Sequence, residues 1–182
     1  MDIHTLTMDK IPWQRLTTAY GRGTDIPRLI ATKQYEELAN LIEHQGTLWQ
    51  TTPWVMLLLL RELADQKPED VSTKEIELYM TVANAITVEY MDSQKTVATM
   101  SELLNEKYLW PEDEEDDELQ WEEEEPPGYE SKAFLSYYYF SYVLLKDASP
   151  VFTDIMNAND QHAPAIRELL QWLNEKNPAD IK

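Results

Sequence analysis

The chain contains no cysteine. That excludes a disulfide scaffold, a thiol nucleophile and a Cys-ligated zinc or iron–sulfur site. Glycine is nearly as scarce, with four residues in 182, at positions 21, 23, 46 and 128. No phosphate-cradling glycine loop is present, and neither G-x-S-x-G nor HExxH occurs. The three histidines, His4, His44 and His162, are isolated from one another and do not have metal-ligand spacing. Positive charge is also short: 15 Lys and Arg stand against 34 Asp and Glu, for a net charge of −19. A conventional nucleic-acid binder needs a basic face against phosphates, and anionic membranes attract the same charge, so both classes are disfavoured. The longest apolar run, Trp54 to Leu60, falls far below the roughly 20 residues that span a bilayer. The opening MDIHTLTMDKIPWQ has no basic stretch followed by an apolar core, so no signal peptide is expected. The expectation is a soluble, cytoplasmic protein without metal or cofactor, and not an enzyme.

What the chain does contain favours helix. Leu, Met, Ala, Glu, Gln and Lys dominate, and no segment alternates with period two. The length suits one domain, residues 1–182, with enough surface to bury for a core of its own. Thr24 or Asp25 and Pro27 open a short helix to Ala31. A second is expected over 33–44, with Tyr35, Leu38, Leu41 and Ile42 on one face, and Gly46 is placed as its left-handed terminator. TTPW opens a third, over about 53–64, apolar nearly all round and so expected between other helices. Ser72 and Glu75 are read as a capping box for a helix over 73–91. Further helices are expected over 93–108 (Val97, Met100, Leu103 and Leu104 inward), 130–146, 150–158 and 164–176. Pairing 33–44 with 53–64, 73–91 with 94–108, and 130–146 with 150–158 suits an all-α, HEAT-like helical-hairpin stack, a short α-solenoid, with an acidic loop insertion over 110–128; periodicity alone also leaves a plain helical bundle open.

A resemblance supports that architecture. Trp13, Leu16, Ala19, Tyr20, Gly21, Asp25, Ile26 and Pro27, followed by Ile42, His44, Gln45, Gly46, Thr47, Thr52 and Pro53, make an AYG turn, a DIP helix start and an HQGT turn in that order. The pattern covers about residues 12–63 and resembles the N-terminal region of bacterial HEAT-repeat-like proteins. The resemblance implies an α-solenoid fold and specifies no activity.

The insertion is the most distinctive segment. Eleven acids and no base lie between Glu112 and Glu125. Such a block repels itself and belongs in a solvated loop, and it lacks the spacing and turn glycine of a calcium loop. Trp110 and Trp121 flank and punctuate it, and acids interleaved with aromatics fit a partner-binding surface. The candidate contact residues are therefore Trp110, Glu112, Asp113, Glu114, Glu115, Asp116, Asp117, Glu118, Trp121, Glu122, Glu123, Glu124 and Glu125. In the helix that follows, Tyr138 and Tyr142 share a face with Phe134 and Leu145 and form the packing stripe. Tyr137 or Tyr139 is then left to face a partner. The HQG segment reads as a helix C-terminus and turn rather than as a catalytic loop, because no triad partner is visible.

A small acidic chain without catalytic motifs fits an immunity protein that neutralises a cognate bacterial toxin with a basic surface, a nuclease above all, by blocking its active cleft. The alternatives are a DNA-mimic inhibitor of the anti-defence type, a HEAT-like protein-binding scaffold, and an enzyme with an unrecognised carboxylate site. Reversing Glu122, Glu123, Glu124 and Glu125 to Lys, or replacing Trp121 by Ala, is expected to weaken binding to a basic partner and to leave stability almost unchanged.

Overall fold

The computed structural model describes residues 5–115, 117 and 126–175. Their fold is mostly helical, as composition predicts. Helix α1 covers Ile26–Ala31, α2 Tyr35–Ile42, α3 Thr52–Asp65, α4 Thr73–Ala85, α5 Ser131–Asp147, α6 Ser149–Ala158 and α7 Ala163–Glu175. Prolines sit in the first turns of α1, α3 and α6, where a missing N–H costs nothing. The expected bounds of these helices hold to within a few residues, except that of α4.

Helix α4 stops at Ala85 instead of continuing to residue 91. Ile86, Thr87 and Val88 follow, a β-branched run whose stiff side chains disfavour helix. Residues 93–108 are not an α-helix. They form short 3₁₀ turns over Ser93–Lys95, Met100–Leu104 and Glu106–Tyr108. Polar side chains there capture the backbone groups that an α-helix would use. Asp92 Oδ1 accepts from the Gln94 N–H, Thr96 Oγ1 donates to the Ser93 carbonyl, and Ser136 Oγ accepts from the Val97 N–H. A true capping box lies here, between Thr99 and Glu102. At α4, Ser72 caps Lys74 N–H as expected, but the Glu75 carboxylate accepts from the Tyr79 hydroxyl at 2.9 Å instead of closing a box. Val97, Met100 and Leu103 still point inward.

Two antiparallel hairpins interrupt the helices, and both were missed. Strand β1, Thr17–Thr18, pairs with β2, Gly21–Arg22; β3, Glu43–His44, pairs with β4, Thr47–Leu48. Two-residue strands are too short to show alternation. Gln45 (φ 52°) and Gly46 (φ 81°) form the two-residue turn of the second hairpin, both left-handed as a type I′ turn requires. Gly46 is therefore left-handed as predicted, but in a hairpin and not at a helix end.

Helix α3 lies at the centre. Trp54, Val55, Met56, Leu59 and Leu63 are buried, so burial on nearly all sides holds as expected. Each such side chain contributes about 1.5–3 kcal/mol on leaving water. Its main neighbour is α5, α2 packs on α4, and α6 pairs with α7, which also meets α4. None of the three expected pairs is a principal contact: α2 packs on α4 and α3 on α5, 93–108 is no helix, and α6 pairs chiefly with α7, the helix left unpaired in that scheme, rather than with α5.

Candidate functional site

The described residues on either side of the acidic run are tied together. Gln50, fully buried at the start of α3, holds them. Its Oε1 accepts from the Thr17 N–H at 2.9 Å, and its Nε2 donates to the Tyr108 carbonyl at 2.7 Å and to the Pro127 carbonyl at 3.1 Å. One amide nitrogen therefore joins the chain entering the acidic run to the chain leaving it. Beside it, Thr17 Oγ1 and the Tyr129 hydroxyl lie 2.6 Å apart, and the Tyr108 hydroxyl donates to Glu130 at 3.0 Å. Gly128, at φ +85°, passes so close that a Cβ there would stand 1.7 Å from Gln50 Nε2. Only glycine fits that position.

Two arginines complete the base. Arg15 donates through Nε to the Trp110 carbonyl at 2.6 Å and forks onto Glu106 at 3.0 and 2.8 Å. Arg22, on β2, has a side chain only 7% exposed. Its fork grips Asp117 at 2.7 and 2.6 Å, and its remaining N–H groups reach the carbonyls of Gln14, Pro111 and Asp113 at 2.8, 2.7 and 3.0 Å. A bidentate charge-assisted pair of this kind is both strong and directional. The Asp117 hydrogen bond, ahead of the charges of Asp117, Glu114 and Asp113, holds the Arg22 guanidinium above its ordinary pKa.

The candidate contact residues divide accordingly. Glu112, Asp113, Glu114 and Glu115 are exposed. Asp117 is an anchor spent on Arg22. Trp110 is 1% exposed, so it is a core residue and not a partner-facing one; its N–H donates to the Arg15 carbonyl at 3.1 Å. Tyr137 is likewise 1% exposed, and its hydroxyl donates to the Gly128 carbonyl. It braces the loop base from within, because a helix as enclosed as α5 buries two adjacent faces. Tyr139 is half-buried, edge-on to Phe140 with ring centres 5.3 Å apart. Asp116, Glu118, Trp121, Glu122, Glu123, Glu124 and Glu125 lie outside the described residues.

The sequence reading missed Arg15, Arg22, Gln50 and Gly128. Arg15 and Arg22, two cations in a chain poor in them, and the PPG that closes the acidic run were the available signals. It also missed the meeting of the two hairpin tips. Tyr20, 68% exposed, packs edge-on against His44, with its hydroxyl 3.2 Å from Nδ1. His44 thus lies on a strand facing Tyr20, not at a helix end. His162 is buried, its Nε2 2.8 Å from the Val71 carbonyl, while its own carbonyl accepts the Ile166 N–H of α7. Among the described residues no group of three or more His, Asp or Glu is placed to hold a metal ion. No helix among them is long and apolar enough to cross a membrane. The chain matches no protein-family model, no curated protein and no solved structure.

Proposed function

We propose that the chain is an immunity protein of the cytoplasm that binds a cognate basic toxin, a nuclease, and blocks its active cleft with the acidic loop. One observation carries this reading. Glu112, Asp113, Glu114 and Glu115 are exposed beside a base that Gln50 closes, and the nearby arginines are already gripped by Glu106 and Asp117, leaving Glu114 only a 3.9 Å contact with Arg22. Exposed carboxylates gathered at one place on a chain of net charge −19 steer a cationic partner and exclude its polyanionic substrate. A loop tied at its base loses less conformational entropy on binding than a free tail would. The HEAT-like architecture belongs to the same proposal, supported by the consecutive pair α6–α7 and by the N-terminal motif string.

The test is co-expression with each basic C-terminal effector domain encoded beside this gene, scored by growth and by complex formation. Rescue of growth and a salt-sensitive complex are expected. Replacing Glu112, Asp113, Glu114 and Glu115 by Lys should slow association about tenfold or more at low salt, with a smaller change in dissociation. A complex whose association rate ignores both the substitutions and the salt would sink the proposal.

A further inference from the structure

The AYG and HQG turns, the tips of the β1–β2 and β3–β4 hairpins, meet each other. Tyr20, at the first tip, is the one large apolar side chain left exposed among the described residues. A lone exposed tyrosine needs no explanation, but this one is fixed in place. Its hydroxyl lies 3.2 Å from His44 Nδ1, and its ring stands edge-on to the imidazole with centres 5.4 Å apart. Its N–H donates to Thr18 Oγ1 at 3.2 Å, and the Thr18 hydroxyl donates to the Gly21 carbonyl at 3.0 Å. The Ala19 N–H donates to the Leu41 carbonyl at 2.9 Å, which pins the tip to α2. The second tip is pinned to α5. There the Tyr138 hydroxyl accepts from the Leu48 N–H at 3.1 Å and donates to the Gly46 carbonyl at 3.3 Å, while Glu43 accepts from the Gly46 N–H at 2.7 Å.

We infer that the joined hairpin tips are the apolar contact of the partner interface, with the Tyr20 ring as the side chain that enters the basic partner. The inference rests on the reading of the chain as a binder of a basic protein, and it adds the residue that retains the partner once charge has brought it in. Continuity supports the choice. Tyr20 and Arg22 belong to one hairpin and are two residues apart, at most about 7 Å between Cα atoms. The Arg22 guanidinium donates to the Asp113 carbonyl at 3.0 Å and stands 3.9 Å from the Glu114 carboxylate. One hairpin therefore carries the exposed ring and touches the exposed acids, a spread that fits a standard interface of about 800 Å² a side. The residue type is also apt. Tyrosine brings a large contact area on two side-chain torsions, and a ring already oriented by His44 loses little freedom on binding. A second copy of this chain is a poor occupant, since it brings another charge of −19 against the same face.

The full chain is mixed with each basic effector domain encoded beside its gene, and association and dissociation rates are measured at one ionic strength. Tyr20→Ala should raise the dissociation rate about tenfold or more and leave association within about twofold. Tyr20→Phe keeps the ring and should stay within about threefold of wild type. His44→Ala should act less strongly than Tyr20→Ala and add nothing to it, because the imidazole serves by orienting the ring. Lys at 112, 113, 114 and 115 should slow association instead. A Tyr20→Ala complex that dissociates at the wild-type rate overturns the inference. So does a loss of affinity that comes with a melting temperature lowered by several degrees, which is the mark of a merely structural tip. Wild-type NMR gives the second reading. The partner must shift or broaden the Tyr20 ring and His44 imidazole signals, and unchanged signals overturn the inference even where Tyr20→Ala fails to fold. Concentration-dependent dimerisation that Tyr20→Ala abolishes would assign the tips to a second copy and overturn it too. The two readings fail separately. Wild type that neither rescues growth nor forms a complex refutes the toxin, and the toxin contact with it, whereas a salt-sensitive wild-type complex indifferent to Tyr20 refutes the tips alone.

Discussion

Glu75 is 1% exposed and sits on α4 among the Tyr79 hydroxyl, the Gln66 amide, Tyr35 and the field of Lys33. Burial raises its pKa, and the hydrogen bonds from Tyr79, Tyr35 and Gln66 offset only part of that. The sign of the pH dependence follows. A carboxyl whose folded pKa exceeds its unfolded value stabilises fully below the unfolded value and loses that contribution as pH rises through the folded one. Glu75→Gln removes the ionisation, so the variant should gain stability relative to wild type as pH rises from the acid range to neutrality. Urea denaturation of both proteins across that range is the measurement, and parallel curves would show that Glu75 does not titrate on folding. Burial at this residue was not legible. Reading Glu75 as the third residue of a capping box was sound local chemistry, but Tyr79 one turn later and Tyr35 on α2 compete for the same carboxylate.

At the scale of the element, the acidic loop behaves as two different things. Asp117 neutralises a guanidinium that the fold has nearly removed from water, whereas Glu112, Asp113, Glu114 and Glu115 are exposed and the strongest ion pair among them is the 3.9 Å contact of Glu114 with Arg22. Breaking one side of a buried pair leaves the other charge uncompensated, which costs about 3 kcal/mol. Asp117→Ala should therefore destabilise the protein by about 2–3 kcal/mol, reduced somewhat because Asp117 keeps partial exposure. Changing Glu115 to Gln should leave stability unchanged or slightly raised. Thermal denaturation of the two variants side by side decides it, and equal effects would mean that Arg22 is not the anchor. Charge counting singled out this segment and treated its acids as equivalent. Which acid is the anchor depends on Arg22, 95 residues earlier, and no local pattern encodes that distance.

The whole molecule carries −19, so folding concentrates like charge that the unfolded chain can spread out. Added salt screens exposed carboxylates within about 8–10 Å at ordinary ionic strengths. The melting temperature should rise by several degrees between low salt and half-molar sodium chloride, with most of the gain at the low end. A flat or falling curve would mean that the ion pairs of Arg15 and Arg22, which salt weakens, outweigh the net repulsion.

By itself the sequence determined the helical class, the places of the seven helices to within a few residues apart from the end of α4, and the burial of α3. Each of these depends on composition, capping or charge within a few turns of chain, where the physics is local. Only the tertiary structure decided that 93–108 coils into 3₁₀ turns, that the AYG and HQG turns are hairpins, and that α3 faces α5. It alone placed Trp110 and Tyr137 inside, and joined Gln50 to both ends of the acidic run. Those outcomes turn on which distant donor meets which acceptor once the core closes, a competition that local propensity does not contain.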